Sequence, residues 1–358
     1  MSGRLRQHFG VTDDFISNPS PATPHKRRQR YSGKNPRRFE EKYKEHGSDD
    51  ATIAKVLAAG KTPAGTHRPI MVAEILEVLA PKPGEIAADC TLGYGGHAQE
   101  ILAKLLPAGK LLGLDQDPIE LPKTEARLRE LGFGPDVFTA HRSNFAGLPQ
   151  VLAANGPSGV DLILADLGVS SMQIDDPARG FSVKFDGPLD MRMNPQRSQP
   201  ASALLQKIKP AALAEMLVDF SDEPNATMLA PALAEKSFTT TMQLATAIRA
   251  VLPRLGKEDA DLTVRRVFQT LRIAVNDEFS ALESFLRNLP SCLNPGGRVA
   301  ILTFHSGEDR RVKKAFAGGH QAGLYSEISD EVIRPTPEER NANPRSAPAK
   351  LRWAQRVA

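Results

Sequence analysis

The stretch Asp89-Cys90-Thr91-Leu92-Gly93-Tyr94-Gly95-Gly96-His97-Ala98 constrains the fold of this chain more than any other. The apolar run Glu85-Ile86-Ala87-Ala88 before it reads as a buried strand. After it, Ile101, Leu102, Leu105 and Leu106 fall on one face of a helix. Between them stand three glycines in four positions. Glycine there permits positive φ and lets backbone approach a ligand closely, with N–H groups at the helix start facing it. The unit is a strand–glycine loop–helix nucleotide pocket with Asp89 at its entry. Gly93-x-Gly95-x-x-Ala98 also fits a dinucleotide fingerprint, so the loop alone leaves the ligand open.

Further strands share one feature, an acid or polar group at the carboxyl end. Lys110-Leu111-Leu112-Gly113-Leu114-Asp115 is the second strand and Val137-Phe138-Thr139-Ala140 the third, the latter leading into Ser143-Asn144-Phe145. Asp161-Leu162-Ile163-Leu164-Ala165-Asp166 is the fourth, and Arg298 to Phe304, after the turn Asn294-Pro295-Gly296-Gly297, is the fifth. Strands alternating with helical stretches predict an α/β fold with a doubly wound parallel sheet. Ligands of such sheets lie beyond the carboxyl ends of the strands, where Asp89, Asp115, Phe145 and Asp166 all fall.

The alternation stops between Phe185 and about Leu262, where helical stretches such as Ala211–Phe220 and Thr241–Val251 appear instead. A long helix follows, striped by Val264, Val267, Phe268, Leu271, Val275, Phe279 and Leu282. The division expected is an arm over 1–62, a sheet domain over 63–184 and 263–358, and a helical insert over 185–262. The tail from Ala317, rich in Pro and Gly, reads as irregular. A helix opened by His67-Arg68-Pro69 should bury Met71, Ile75, Leu76 and Leu79.

The net charge of +4 is unevenly placed. Residues 1–62 hold 13 Lys and Arg against 7 Asp and Glu, a net of +6, which leaves −2 for the rest. The arm, with Lys26-Arg27-Arg28-Gln29-Arg30, reads as disordered: either a tail contacting phosphates or a solvated extension. No run of eighteen apolar residues is present to span a membrane, and Met1 to Gly10 lacks a signal-peptide core. Cys90 and Cys292 form no ligand pair, so neither a zinc site nor a disulfide framework is expected, which suits a reducing cytoplasm.

Asp115 lies about twenty residues past the glycine loop, where a carboxylate takes hydrogen bonds from ribose hydroxyls; a helix cap ahead of Pro118 is the alternative. Phe145 either flanks an adenine ring or sits in the core. Asp166 separates enzyme classes: hydride transfer needs no acid there, whereas methylation of an amine needs an acceptor for its N–H bonds. Amine methyltransferases usually place two prolines and an aromatic residue after that acid, and Leu167-Gly168-Val169 does not conform.

Taken in order, Gly95-Gly96-His97, Asp115-Gln116-Asp117-Pro118, Asp166-Leu167-Gly168-Val169-Ser170-Ser171-Met172-Gln173, Arg179-Gly180-Phe181-Ser182, Asp186 to Met193, Phe268-Gln269, Arg272, Asn276 and Phe304-His305-Ser306 closely resemble the bacterial small-subunit rRNA methyltransferase H family, over about residues 65 to 355. The resemblance implies a class I methyltransferase sheet, S-adenosylmethionine as methyl donor, and 16S rRNA of the small ribosomal subunit as partner. It implies transfer to N4 of a decoding-centre cytidine. It assigns Gly95, Gly96, His97, Asp115, Phe145, Asp166 and Gln173 to the cofactor, and the insert to the RNA-facing surface. Asp166 and His305 are the catalytic candidates, His305 through a ring able to accept a proton or donate a hydrogen bond. Asp190 and Arg192 either bind a ligand or pair with each other, and Arg266, Arg272 and Arg310 either contact phosphates or are solvated. Ala98, Phe220 to Asn225 and Ala347-Pro348 depart from the family pattern. A nicotinamide-dependent oxidoreductase and a non-catalytic RNA-binding module are the competing classes, and the oligomeric state, homodimer included, is left open.

Overall fold

The protein is described by a computed structural model over residues 69–358. The basic arm, with His67 and Arg68, lies outside the described residues. Helix α1 spans Val72–Leu79 and buries Ile75 and Leu79. Its ends are marked by left-handed residues, Met71 at φ 56° and Ala80 at φ 41°.

The sheet then builds as its sequence pattern dictates: β1 Ile86–Asp89, α2 Gly96–Leu105, β2 Lys110–Asp115, α3 Glu120–Glu130, β3 Phe138–Arg142, α4 Leu148–Asn155 and β4 Val160–Asp166. These four strands pair in parallel, with Asp89 opposite Gly113 on one side and Leu164 on the other. A one-turn helix α5, Ser171–Asp175, follows β4 and is capped by Ser170, whose hydroxyl accepts from Gln173 N–H.

After an irregular stretch up to Pro200, the insert is built of helices: α6 Ala201–Lys207, α7 Pro210–Ser221, α8 Ala226–Leu233, α9 Thr241–Val251 and α10 Lys257–Asn276. It has its own apolar core, running from Leu189 to Val275 through Leu205, Leu217, Leu229, Leu244 and Leu271. That core takes in the whole face of α10, so the expected boundary near Leu262 falls inside one packing unit. The single long helix read from the apolar stripe is two. Asp277, at φ 51°, turns the chain, and α11 restarts at Glu278–Cys292. Val264, Val267 and Leu271 face the insert, while Leu282, Phe285 and Leu289 face the sheet.

Strand β5, Leu293–Thr303, re-enters parallel to β4. The tail, expected to be irregular, instead continues the fold: α12 Ser306–Gln321, β6 Tyr325–Ile328, α13 Pro337–Ala342 and β7 Lys350–Arg356. Strand β7 pairs antiparallel with both β5 and β6, giving the order β3-β2-β1-β4-β5-β7-β6. Alternate residues of β4 feed opposite cores, Leu162 and Leu164 one face, Ile163 and Ala165 the other. A sheet covered on both faces this way carries near-continuous apolar strands, each large side chain contributing about 1.5–3 kcal/mol on burial. The strand order reverses at β1, leaving a crevice between the carboxyl ends of β1 and β4.

Candidate active site

The glycine loop is held by hydrogen bonds that its own residues supply. Thr91 N–H donates to Asp89 Oδ1 at 3.1 Å, and Asp166 N–H donates to Thr91 Oγ1 at 2.6 Å, which ties the ends of β1 and β4 together. Gly93 N–H donates to Asp115 Oδ2 at 2.8 Å, and its carbonyl accepts from Thr124 Oγ1 at 2.6 Å. Gly95 starts α2 at φ 74°, and a Cβ there would stand 2.9 Å from Thr124 Cγ2 and 3.0 Å from Arg127 Nη2. Only glycine satisfies both the dihedral and the space. The first N–H groups of α2 then face the crevice without intrahelical partners.

That crevice is a cavity of about 490 Å³, within the range of small-molecule sites. Gly95, Gly96, His97, Asp115, Phe145, Asp166 and Gln173 all line it, so the structure brings every residue assigned to the cofactor to one place. Asp115 accepts Gly93 N–H on one oxygen and Asp117 N–H on the other, both at 2.8 Å. A carboxylate has about four acceptor positions, so two remain for ribose hydroxyls. The Phe145 ring meets Phe285 edge-on at 5.4 Å, presenting its remaining surface to the cavity.

Three strand-end carboxylates crowd this space. Burial pushes Asp89 and Asp115 up to about 6, and burial with the nearby Glu308 charge pushes Asp166 up to about 7. Asp89 Oδ2 and Asp166 Oδ1 are buried with no hydrogen-bond partner. Buried acids of raised pKa, two of them with an unsatisfied oxygen, fit a ligand that carries a positive charge and hydroxyls beside a helix start. The sulfonium, ribose and carboxylate of S-adenosylmethionine meet those three demands.

His97 is buried at the start of α2, its Nε2 2.9 Å from the Ile70 carbonyl and its Nδ1 3.7 Å from Asp166 Oδ2. Gln173 reaches the cavity wall with its amide committed: Oε1 accepts Ser170 N–H at 3.0 Å, and Nε2 donates to Asp117 at 2.8 Å. His305 is placed otherwise than its sequence position suggested. It caps α12, with Nδ1 accepting Glu308 N–H at 3.4 Å and Nε2 3.0 Å from Glu308 Oε1, and it does not line the cavity. Both ring nitrogens thus lie against Glu308, Nδ1 as the cap acceptor and Nε2 buried without a hydrogen bond of its own. Asp190 and Arg192 pair with each other at 2.7–2.8 Å. Arg310 is held by Asp222 at 3.0 Å, and Arg266 lies 3.8 Å from Glu223, so the departure at Phe220 to Asn225 engages two of the three arginines considered for phosphate.

Arg272, Phe279 and Phe304, named in the sequence for other reasons, line the cavity with two acids that sequence reasoning missed, Glu278 and Glu308. Burial pulls Glu308 upward, but His305, Arg272 and the Phe304 N–H outweigh it and hold its carboxyl below the usual range. The available signal was spacing: Glu308 stands three residues after His305, the reciprocal position of a helix cap.

A doubly wound sheet whose glycine loop and strand-end acids enclose one such cavity defines an S-adenosylmethionine-dependent methyltransferase. The chain belongs to the MraW methylase family, whose model matches residues 64–357. A "Ribosomal RNA small subunit methyltransferase H 1" from Lachnoclostridium phytofermentans is 50% identical over 96% of each chain. The protein of the same name from Agathobacter rectalis is 48% identical over 93% of this chain and 98% of its own. A "Ribosomal RNA small subunit methyltransferase H" from Heliobacterium modesticaldum, 39% identical, covers 98% of itself but 81% of this chain. The 96% match leaves too little of this chain outside it for the N-terminal arm to be peculiar to one protein. Among solved structures, a SAM-dependent O-methyltransferase from Thermotoga maritima aligns with a TM-score of 0.39 at 12% identity, over 86% of this chain and 71% of that one.

Proposed function

We propose that this methyltransferase modifies the exocyclic N4 of a decoding-centre cytidine in 16S rRNA of the small ribosomal subunit. Methylation of rRNA is the activity its family relatives are named for. The observation that carries the finer reading is Asp166: an acceptor with an unsatisfied buried oxygen, at the strand end facing the cofactor crevice. An exocyclic amine needs such a group, because its lone pair is delocalised into the ring until the N–H bonds are oriented.

Bound S-adenosylmethionine supplies a methyl carbon on a positively charged sulfur, already activated for displacement. The protein's part is to bind, align and move a proton. Asp115 and the α2 N–H groups fix the nucleoside and carboxylate ends of the donor. Asp166 accepts an N4–H bond, which turns the nitrogen lone pair towards the methyl carbon. With the sulfonium supplying the methyl group and its sulfur leaving as the neutral thioether, Asp166 would take the proton that N4 gives up. A base held near neutrality is well matched to that transfer. Most of the rate gain comes from alignment in a water-poor cavity. A stacked or paired cytidine must first swing out of its helix.

A ribosomal RNA substrate supports a cytoplasmic location; separately, no helix among the described residues is long and apolar enough to cross a membrane. The test is nucleoside mass spectrometry after incubating small subunits and S-adenosylmethionine with the enzyme. N4-methylcytidine is expected; a methyl on a ribose oxygen or a ring carbon would overturn the reading.

A further inference from the structure

The cavity also holds a group of residues to which the sequence assigns no part in cofactor binding. Arg272, near the end of α10, is gripped by Glu278 at the start of α11. Its Nε donates to Glu278 Oε1 at 2.8 Å and its Nη2 to Glu278 Oε2 at 2.9 Å. Nη2 also lies 3.9 Å from Glu308 Oε1. This two-pronged contact uses one edge of the planar guanidinium and fixes its direction. The remaining nitrogen, Nη1, hydrogen-bonds no protein atom among the described residues, although the side chain lines the cavity. It points to the loop that follows Asp166: a Cβ built on Gly168 would stand 4.0 Å from Nη1 and 3.9 Å from the Phe304 ring. Gly168, at φ 98°, has no Cβ and leaves that space open.

A fixed donor, an aromatic ring and the acceptor Asp166 thus line one cavity, the first two beside the loop that follows Asp166. The Watson–Crick edge of cytosine carries a donor at N4 and, one ring atom away, an acceptor at N3. We propose that Arg272 reads the target base, its Nη1–H donating to cytosine N3 while Asp166 takes the N4 hydrogen. This assignment rests on the cytosine-N4 reading and deepens it. Glu278 acts as a positioning residue, holding the fork so that the free N–H faces the base. Uracil presents N3–H at that place, which sets a donor against a donor. Its O4 likewise meets the carboxylate of Asp166 with no hydrogen between them. Both mismatches leave buried polar groups unpaired, the most effective basis for rejecting a close analogue.

The competing role for Arg272 is to tie α10 to α11 and nothing more. Removing it outright would leave Glu278 buried without a partner, so Arg272→Ala could fail to fold for that reason alone. The test therefore pairs Arg272→Lys, which keeps the charge and loses the fork, with a change in the RNA. Small subunits are reconstituted with 16S rRNA carrying cytidine or 3-deazacytidine, which lacks the N3 acceptor, at the target position. The wild-type enzyme should lose roughly 10- to 100-fold in kcat/KM on the 3-deaza subunits, the size of one hydrogen bond from a charged donor. Arg272→Lys should lose a similar factor on cytidine subunits and show no further loss on 3-deaza subunits. S-adenosylhomocysteine binding, measured by calorimetry, should be the same in both proteins. Wild type indifferent to the N3 atom, or a Lys variant that still discriminates as strongly as wild type, would overturn the assignment of Arg272 and leave the cytosine-N4 reading standing. A wild-type enzyme that methylates the control subunits at another atom would overturn both.

Discussion

His97 Nδ1 and Asp166 Oδ2 face each other at 3.7 Å, with nothing but a proton able to make the contact favourable. The other ring nitrogen, Nε2, lies 2.9 Å from the Ile70 carbonyl, which can only accept, so Nε2 carries a hydrogen and the neutral ring offers a lone pair at Nδ1. Burial lowers the His97 pKa, opposed by the Ile70 hydrogen bond and the Asp89 charge. Burial raises Asp166 to about 7, helped by Glu308. The proton therefore rests on Asp166 at low pH, and there the carboxyl cannot take the proton that N4 must lose. Activity should rise with pH through about 7. The kcat/KM profile of the free enzyme measures this. Asp166→Asn, which cannot take the proton, should lower kcat/KM at least about 100-fold and flatten the profile, in line with the usual worth of a positioned base.

The same carboxylates set a stability trend. Asp89 is 1% exposed, and burial moves it from 3.8 to about 6, with the His97 charge and the Thr91 N–H opposing. A carboxyl whose folded pKa is raised contributes stability that is complete below pH 4 and is lost as pH climbs through 6. His97, lowered on folding, pulls the opposite way over part of that window, so the comparison between variant and parent is more informative than the parent alone. Asp89→Asn keeps an acceptor for Thr91 N–H and cannot ionise. Its stability relative to wild type should improve by on the order of 2 kcal/mol between pH 5 and pH 8, read from urea unfolding of the ligand-free protein.

What was legible in the sequence follows from what is local. Strands β1 to β4 announce themselves as apolar runs ending in Asp or leading to Phe145, because a strand buried on both faces has no polar positions to blur it. Strands β6 and β7 have no such run. Lys350 and Arg352 lie within β7 yet are settled by Asp309, at 3.1 Å and 2.7 Å, a partner about forty residues away that no window shows. The break at Asp277 is invisible to periodicity, since apolar spacing continues from Val275 to Phe279 while the backbone turns through a left-handed residue. Glu308 stands in a run of charged residues that gives it no distinction in sequence; at 3% exposure, against His305 and Arg272, it belongs to the cavity wall. His305, at the end of the fifth strand, caps α12 through Nδ1, a local role that the strand-end position does not announce.

Packing behind the cofactor wall should be readable in binding. Phe285 is 1% exposed on α11 and meets Phe145 at 5.4 Å with planes at 63°. Phe285→Ala removes the ring that backs Phe145 and leaves a void, a change costing about 3–5 kcal/mol in folded stability. Phe145 is then free to collapse away from the cavity. The expected result is a lower thermal midpoint together with weaker S-adenosylhomocysteine binding, whereas Phe285→Leu should recover most of both. Calorimetry on the two variants checks the link; unchanged affinity in the Ala variant would detach Phe145 from the ligand.

Arg179 offers the sharpest test of how the segment after β4 is anchored. Its guanidinium is 2.9 Å from Asp117, which is 1% exposed just past β2, and also donates to the Met193 carbonyl at 2.9 Å. Asp117 in turn receives Gln173 Nε2, so one buried carboxylate joins β2, α5 and the chain entering the insert. Removing one member of a buried pair is costly because the other is left charged and dry, on the order of 3–5 kcal/mol. Arg179→Met keeps the length and apolar stem but strands Asp117. Adding Asp117→Asn to it removes the stranded charge and retains an acceptor for Gln173. The single variant should therefore be much less stable than the double, by urea unfolding, and should lose cofactor affinity as Gln173 and the Ser170 turn drift. If the double variant is no better than Arg179→Met, the charge on Asp117 is not what Arg179 is there to meet.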